Sequence, residues 1–210
     1  MELHGYFRSG AAYRVRIALN LKGIGVRQVS HHLRKGEQRD AAYLALNPQG
    51  LVPALVADDG TVLTQSLAII EWLEETPPDP ALLPGDAVQR AQIRAFAYAI
   101  ACDIHPVQNL KVLQKLAAMG HPQAEVDGWA RWIIGEGFTA CEALAAHTAG
   151  QHVFGDVPTL ADVCLVPQFT NARRFGLDLS PFPHLLAIEA ACLALPAFRA
   201  AAPDQQPDAE

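Results

Sequence analysis

The sequence predicts an α/β domain of order βαβαββα followed by an all-helical domain. Three observations carry this. Over residues 1–78 short apolar runs alternate with helical patterns, residues 76–88 (TPPDPALLPGDAV) are rich in Pro, Gly and Asp, and beyond them the apolar spacing is helical throughout. The resulting division is 1–78, a linker 79–87, a helical domain 88–201 and a tail, 202–210, whose composition (APDQQPDAE) reads as disordered.

The first strand spans residues 2–7, and a helix follows over residues 10–22, with Val15, Ala18 and Leu19 on its apolar face. Between them Arg8, Ser9 and Gly10 fall at the helix N-terminus, where unpaired N–H groups and the helix dipole favour negative charge. Ser9 could donate its hydroxyl to a small anion with Arg8 as a nearby positive charge. On this stretch alone the preferred reading is the plain one, with Ser9 an N-cap and Arg8 solvated. A second strand over 25–30 completes a βαβ unit, and a short helix over 38–46 leads to NPQGLVPALV. The runs 54–57 and 62–64 flank Asp58-Asp59-Gly60, a hairpin signal. A helix capped by Ser66 then stops before Pro77-Pro78. The residues alone favour a trans Val52-Pro53 bond, since cis forms are a small minority. A cis bond would leave the Val52 backbone free to pair with a peptide-like ligand. Gln65-Ser66 offers a further helix N-terminus to a carboxylate, although a plain N-cap is the more common use of such a start.

In the second half, residues 88–116 read as one helix kinked at Pro106, 123–146 as a second, and 181–193 as a further one. Thr159 with Asp162 three positions on forms a capping-box variant opening a strongly apolar helix to about residue 175, with Asp162 a buried structural acid.

The net charge is −6, and the acidity is C-terminal: residues 1–78 carry eight basic and eight acidic side chains, residues 79–210 eight and fourteen. Nucleic acid is therefore not an expected partner. No apolar run approaches the roughly 18 to 20 residues a membrane span needs, and a soluble cytoplasmic protein is the expectation. Cys102, Cys141, Cys164 and Cys192 form no CxxC pattern and read as buried free thiols. The histidines, including the adjacent His31 and His32, show no HExxH spacing, so no metal is assigned.

The motifs FRSGAAYRVRIAL, LNPQGLVPAL, QSLAIIEWLEE, PTLADVCLVPQ, NARRFGLDL and the ending QPD resemble the zeta class of glutathione transferases, which includes maleylacetoacetate isomerases and bacterial maleylpyruvate isomerases. The likeness runs from about residue 2 to 208, and Cys102-Asp103-Ile104-His105-Pro106 with ARRF is most similar to the maleylpyruvate branch. The resemblance implies a thioredoxin-like N-terminal domain that binds glutathione, a helical glutathione-transferase C-terminal domain and a homodimer. It also implies a cis bond at Pro53, with the Val52 backbone pairing to the cysteinyl part of glutathione. Gln65 and Ser66 would hold the γ-glutamyl carboxylate, Gln38 would approach the glycine end, and His105 and Asn109 would line the cleft.

The implied reaction is cis-trans isomerisation of a maleyl keto acid, by glutathione thiolate adding to the double bond, rotation and elimination. A free thiol of pKa about 8.5 is only partly ionised at neutral pH, so Ser9 and the helix N-terminus must favour the thiolate. The dianionic substrate calls for cationic anchors, for which Arg8, Arg174 and Lys111 are candidates, with Arg173 an ordinary surface charge. Where the zeta pattern is often Ser-Ser-Cys, this chain has Ser9-Gly10-Ala11, so Gly10 and Ala11 contribute only backbone groups beside the Ser9 hydroxyl. Two other readings remain open at this level. One is a conjugating transferase or dehalogenase acting on small electrophilic acids; the other is a glutathione-binding protein without catalysis.

Overall fold

The structure, a computed structural model, describes residues 1–77 and 79–210. The expected helix stop at Pro77-Pro78 thus lies partly outside the described residues. The chain forms two compact units, Met1–Ala81 with Ala194–Glu210, and Leu82–Leu193.

The first unit holds β1 (Glu2–Gly5), α1 (Gly10–Leu21), β2 (Arg27–Ser30), a 3-10 turn (Glu37–Arg39), α2 (Ala41–Leu46), β3 (Ala54–Val56), β4 (Val62–Thr64) and α3 (Ser66–Glu75). The strands lie in the order β2-β1-β3-β4, with β1 parallel to β2 and antiparallel to β3, and β3 antiparallel to β4. The order matches the sequence expectation, but the expected helix over 38–46 divides into the 3-10 turn and α2. The interruption is at Asp40, which is extended (φ −64°, ψ 145°) and takes the N-cap position of α2 without a side-chain cap bond. Burial of α1 goes well beyond its apolar stripe: every residue from Ala12 to Leu19 is buried, Arg14 and Arg16 included. Each guanidinium donates to oxygen there, Arg14 to Ser66 Oγ and Arg16 to the Ala201 and Phe7 carbonyls. Burial still pulls Arg16 down to about 10, well above neutral pH, while Asp208 opposes the shift.

The expected disordered tail is ordered. Residues 194–210 return to the first unit, where α9 (Pro196–Ala201) packs on α1 and a 3-10 turn (Pro203–Gln205) follows. Phe198 is fully buried, Gln206 is buried with its amide donating to the Ala200 and Ala202 carbonyls, and Asp208 accepts from Phe7 N–H. Composition marked this stretch as polar, but the side chains are spent on specific partners.

The second unit contains α4 (Ala87–Tyr98), α5 (Leu110–Ala118), α6 (Gln123–Thr148), α7 (Leu160–Arg174) and most of α8 (Pro183–Ala194). The single kinked helix expected over 88–116 is in fact α4, a π-helical stretch (Ala99–Ile104), a turn, and α5. Pro106 lacks the N–H a continuing helix needs, and Asn109, extended at φ −67°, ψ 152°, restarts the chain. The Thr159–Asp162 capping box is present, and Asp162 is fully buried, accepting from Val153 N–H and from both the N–H and the hydroxyl of Thr159. Cys141, Cys164 and Cys192 are buried, whereas Cys102, in the π-helical stretch, is exposed.

Candidate active site

The sheet register gathers three of the sequence-predicted segments at one end of the first unit. His4 pairs with Ala54, and Ala54 with Thr64, so the chain leaving β1 toward Ser9, the Val52-Pro53 approach to β3, and Gln65-Ser66 after β4 lie side by side.

Ser9 is the N-cap of α1, half-buried and extended (φ −72°, ψ 114°), and its Oγ accepts from Ala12 N–H at 3.2 Å. The capping and functional readings are therefore compatible. Capping uses an oxygen lone pair and leaves the O–H as a donor, for which no acceptor stands within reach among the described residues. Gly10 and Ala11 open the helix. The Arg8 guanidinium lies 5.2 Å from the centre of the Phe7 ring, a cation–π contact.

Val52-Pro53 is cis, as the family resemblance implied and against the expectation from the residues alone. Among the described residues no hydrogen bond engages the Val52 backbone, although those of the adjoining loop are held. Tyr43 Oη and Asn47 Nδ2 both donate to Leu51 O, at 2.6 and 2.7 Å. These two holding residues carry no motif and were missed from sequence, as were Arg14 and Arg16.

Ser66 is the first residue of α3, and Gln65 takes the cap position, correcting the sequence assignment. Gln65 adopts φ 69°, the one positive φ at a non-glycine among the described residues. Such a conformation costs on the order of 1–3 kcal/mol and marks a candidate site. It turns the Gln65 amide to donate to Gln49 Oε1 at 2.8 Å. Behind Ser66, buried Arg14 donates to Ser66 Oγ at 3.4 Å, adding positive charge to the α3 N-terminus. Gln38 sits in the 3-10 turn beside the loop: its carbonyl oxygen is 3.2 Å from where a side chain on Gly50 (φ 61°) would begin. Its Oε1 is buried with no partner among the described residues.

Four predicted residues belong to the second unit. His105 ends the π-helical stretch, Asn109 is the N-cap of α5, Lys111 is exposed in the first turn of α5, and Arg174 is the exposed last residue of α7. Arg173 is not an ordinary surface charge: it forms a two-point ion pair with buried Glu189, N to O 2.5 Å at each point. That pair raises the Arg173 pKa and ties α7 to α8. His152, Asp162 and Cys192 form one buried group of metal-capable side chains. Asp162 is already committed there to three protein donors.

The first-unit geometry fits a γ-glutamyl tripeptide. There is a helix start at Ser66 whose outward N–H groups suit a carboxylate, a Val52 backbone and a Gln38 amide oxygen without hydrogen-bond partners among the described residues, and a hydroxyl donor at Ser9. Comparison with known proteins points the same way. Residues 8–76 match the family model of the glutathione S-transferase N-terminal domain. The maleylpyruvate isomerase of a Ralstonia species is 51% identical over 212 residues, covering 99% of each chain. A holo structure of a maleylpyruvate isomerase, a bacterial zeta-class glutathione S-transferase, superposes with a TM-score of 0.97 at 50% identity over the full length of both chains. The maleylacetoacetate isomerase of Anaeromyxobacter dehalogenans, solved with dicarboxyethyl glutathione and citrate in its active site, gives 0.90 at 45% identity, covering 100% of this chain and 93% of that one. The chain belongs to the zeta-class glutathione transferases, the family of the maleylpyruvate and maleylacetoacetate isomerases.

Proposed function

We propose that the protein is a glutathione-dependent cis-trans isomerase of a maleyl keto acid, maleylpyruvate or maleylacetoacetate, acting in aromatic-compound or tyrosine catabolism. The observation that carries the proposal is the Ser9 hydroxyl, with its oxygen fixed by Ala12 N–H and its hydrogen available at the α1 N-terminus. Glutathione supplies a thiolate that adds to the maleyl double bond, and the dicarboxyethyl glutathione seen in the Anaeromyxobacter relative has the form such an addition gives.

In this reading Ser9 donates to the sulfur and the α1 N-terminus adds its dipole. Each unit by which the thiol pKa falls requires roughly 1.4 kcal/mol. A charge-assisted O–H bond with a helix terminus can supply one to two such units. Ser66, backed by Arg14, holds the γ-glutamyl carboxylate together with Gln65. Val52 pairs with the cysteinyl backbone, and Gln38, His105 and Asn109 complete the binding set. Arg8 and Arg174 anchor the substrate carboxylates, with Lys111 as a further cation. The protein is further read as a cytoplasmic homodimer, which sedimentation of the purified chain tests.

Isomerisation of both keto acids, assayed with and without glutathione, tests the function. The proposal expects turnover of at least one substrate that vanishes without glutathione and leaves its concentration unchanged. Activity without glutathione refutes it, and consumption of glutathione in step with product marks a conjugating transferase instead.

A further inference from the structure

The turn that carries Ser9 is held from outside by the C-terminal segment. Phe7, two residues before Ser9, is fixed at both backbone groups: its N–H donates to Asp208 Oδ2 at 3.1 Å, and its C=O accepts from Arg16 Nη2 at 3.1 Å. Arg16 is itself set by Ala201, whose carbonyl accepts from Nε at 2.9 Å. The oxygen of Asp208 that receives Phe7 N–H also accepts from Ser30 Oγ at 2.5 Å, so it bridges the Ser9 turn and the end of β2. The segment bearing Asp208 is in turn anchored. Gln206 is buried, donates to two carbonyls of the α9 end and accepts from Gln28 Nε2 at 2.9 Å.

We propose that Asp208 is a positioning residue for the Ser9 hydroxyl, acting through the Phe7 amide. The proposal rests on the reading of Ser9 as the thiolate donor. A one-ångström displacement of such a donor is enough to lose much of its effect. Among the described residues, the turn from Tyr6 to Ser9 has one internal backbone bond, Ser9 N–H to Tyr6 O at 2.9 Å. Ser9 is tied to α1 by its C=O, which accepts from Tyr13 N–H at 2.8 Å, and by its Oγ, which accepts from Ala12 N–H at 3.2 Å, so the two bonds to Phe7 set how the chain approaches it from β1. A carboxylate suits the task because one oxygen accepts two hydrogen bonds at once, each strengthened by its charge.

Positioning and bare electrostatics predict opposite signs. Asp208 is negative, so deleting its charge alone lowers the pKa of a nearby thiol. Deleting its hold on Phe7 displaces Ser9 and raises it. The test titrates the thiol of glutathione bound to the wild type, Asp208→Ala and Asp208→Asn by ultraviolet thiolate absorbance, alongside steady-state kinetics and hydrogen exchange at the Phe7 amide. Asp208→Ala is expected to speed Phe7 exchange, raise the bound thiol pKa by about half a unit or more, and lower kcat several-fold with little change in substrate KM. Asp208→Asn keeps an acceptor of the same shape and is expected to recover most of the rate. An unchanged or lowered thiol pKa in Asp208→Ala overturns the proposal, as does equal loss in Asp208→Asn, whose acceptor of the same shape should still hold Phe7. A wild type that lowers the thiol pKa without isomerising refutes the proposed reaction while the same titration still decides the role of Asp208. A wild type with an unshifted thiol refutes both.

Discussion

At the scale of single residues, the site depends on small groups whose neighbours define their role. Ser9→Ala removes the hydroxyl donor and the cap oxygen together. It is expected to lower turnover ten-fold or more, since the loss of one charge-stabilising donor costs about 2 to 4 kcal/mol. Capping alone contributes about 1 kcal/mol of stability, so the variant should remain folded. Comparing kcat with the denaturation midpoint separates the two losses, and a near-wild-type rate transfers the thiolate role to the Ala11 N–H and the helix dipole. Gln65 offers the opposite contrast. Its positive φ is a conformation glycine adopts freely. Gln65→Gly should therefore keep or raise stability, by up to about 1 kcal/mol. The same change should raise the KM for glutathione, because the amide is lost. A midpoint that falls along with affinity would mean that Gln65 is held by packing and not by its ligand.

At the scale of elements, the end of the sheet that carries the site also carries a titrating pair. His4 on β1 and His31 just after β2 share a hydrogen bond, Nδ1 to Nε2 at 2.9 Å, with their rings stacked at 5.2 Å and Tyr43 packed 4.3 Å from His31. Burial lowers both pKa values, and for His4 the proximity of His31 lowers it further, against the opposing pull of Glu2. Glu37 and Asp40 oppose the shift at His31, and Arg27 adds to it at His4. A base whose folded pKa is depressed leaves the unfolded chain binding more protons. Stability is thus complete above the ordinary histidine pKa, about 6.5, and falls as pH drops below it. Urea midpoints at about pH 7.5 and 5.5 should separate more in the wild type than in His31→Gln, which keeps a polar partner for His4 and removes one titrating ring. Equal separations would exclude the pair as the source. Elements such as this explain what sequence could and could not reveal. The βαβαββα order and the Thr159–Asp162 cap were legible because spacing and capping residues are local signals. The break at residues 99–109, the His4–His31 contact across 27 positions and the Tyr43 and Asn47 bonds to Leu51 were not, since each is fixed by tertiary partners that leave no periodic trace.

At the scale of the whole molecule, the first unit is built from both ends of the chain, which no local pattern announces. Residues 1–81 contain the four strands of the described residues and the first-unit candidate-site residues, yet one face of α1 is completed by residues 194–210. There Phe198 is buried, Tyr13 Oη donates to its carbonyl, Asn20 Nδ2 donates to Ala197 O, and Arg16 loses an acceptor if Ala201 is removed. Burying a phenylalanine contributes about 1.5 to 3 kcal/mol. A buried guanidinium left short of an acceptor costs about 1 to 3 kcal/mol or more. Small domains have a total stability of roughly 5 to 15 kcal/mol, so these losses are a large share. A fragment of residues 1–81 is therefore expected to unfold broadly in urea and to exchange the α1 amides quickly. Joining residues 194–210 to it through a flexible linker should restore a cooperative transition and α1 protection. If residues 1–81 alone unfold as sharply as the joined fragment, the C-terminal segment is an attachment to a self-sufficient unit. If only the joined fragment does so, folding of the glutathione-binding half must wait for the last residues of the chain.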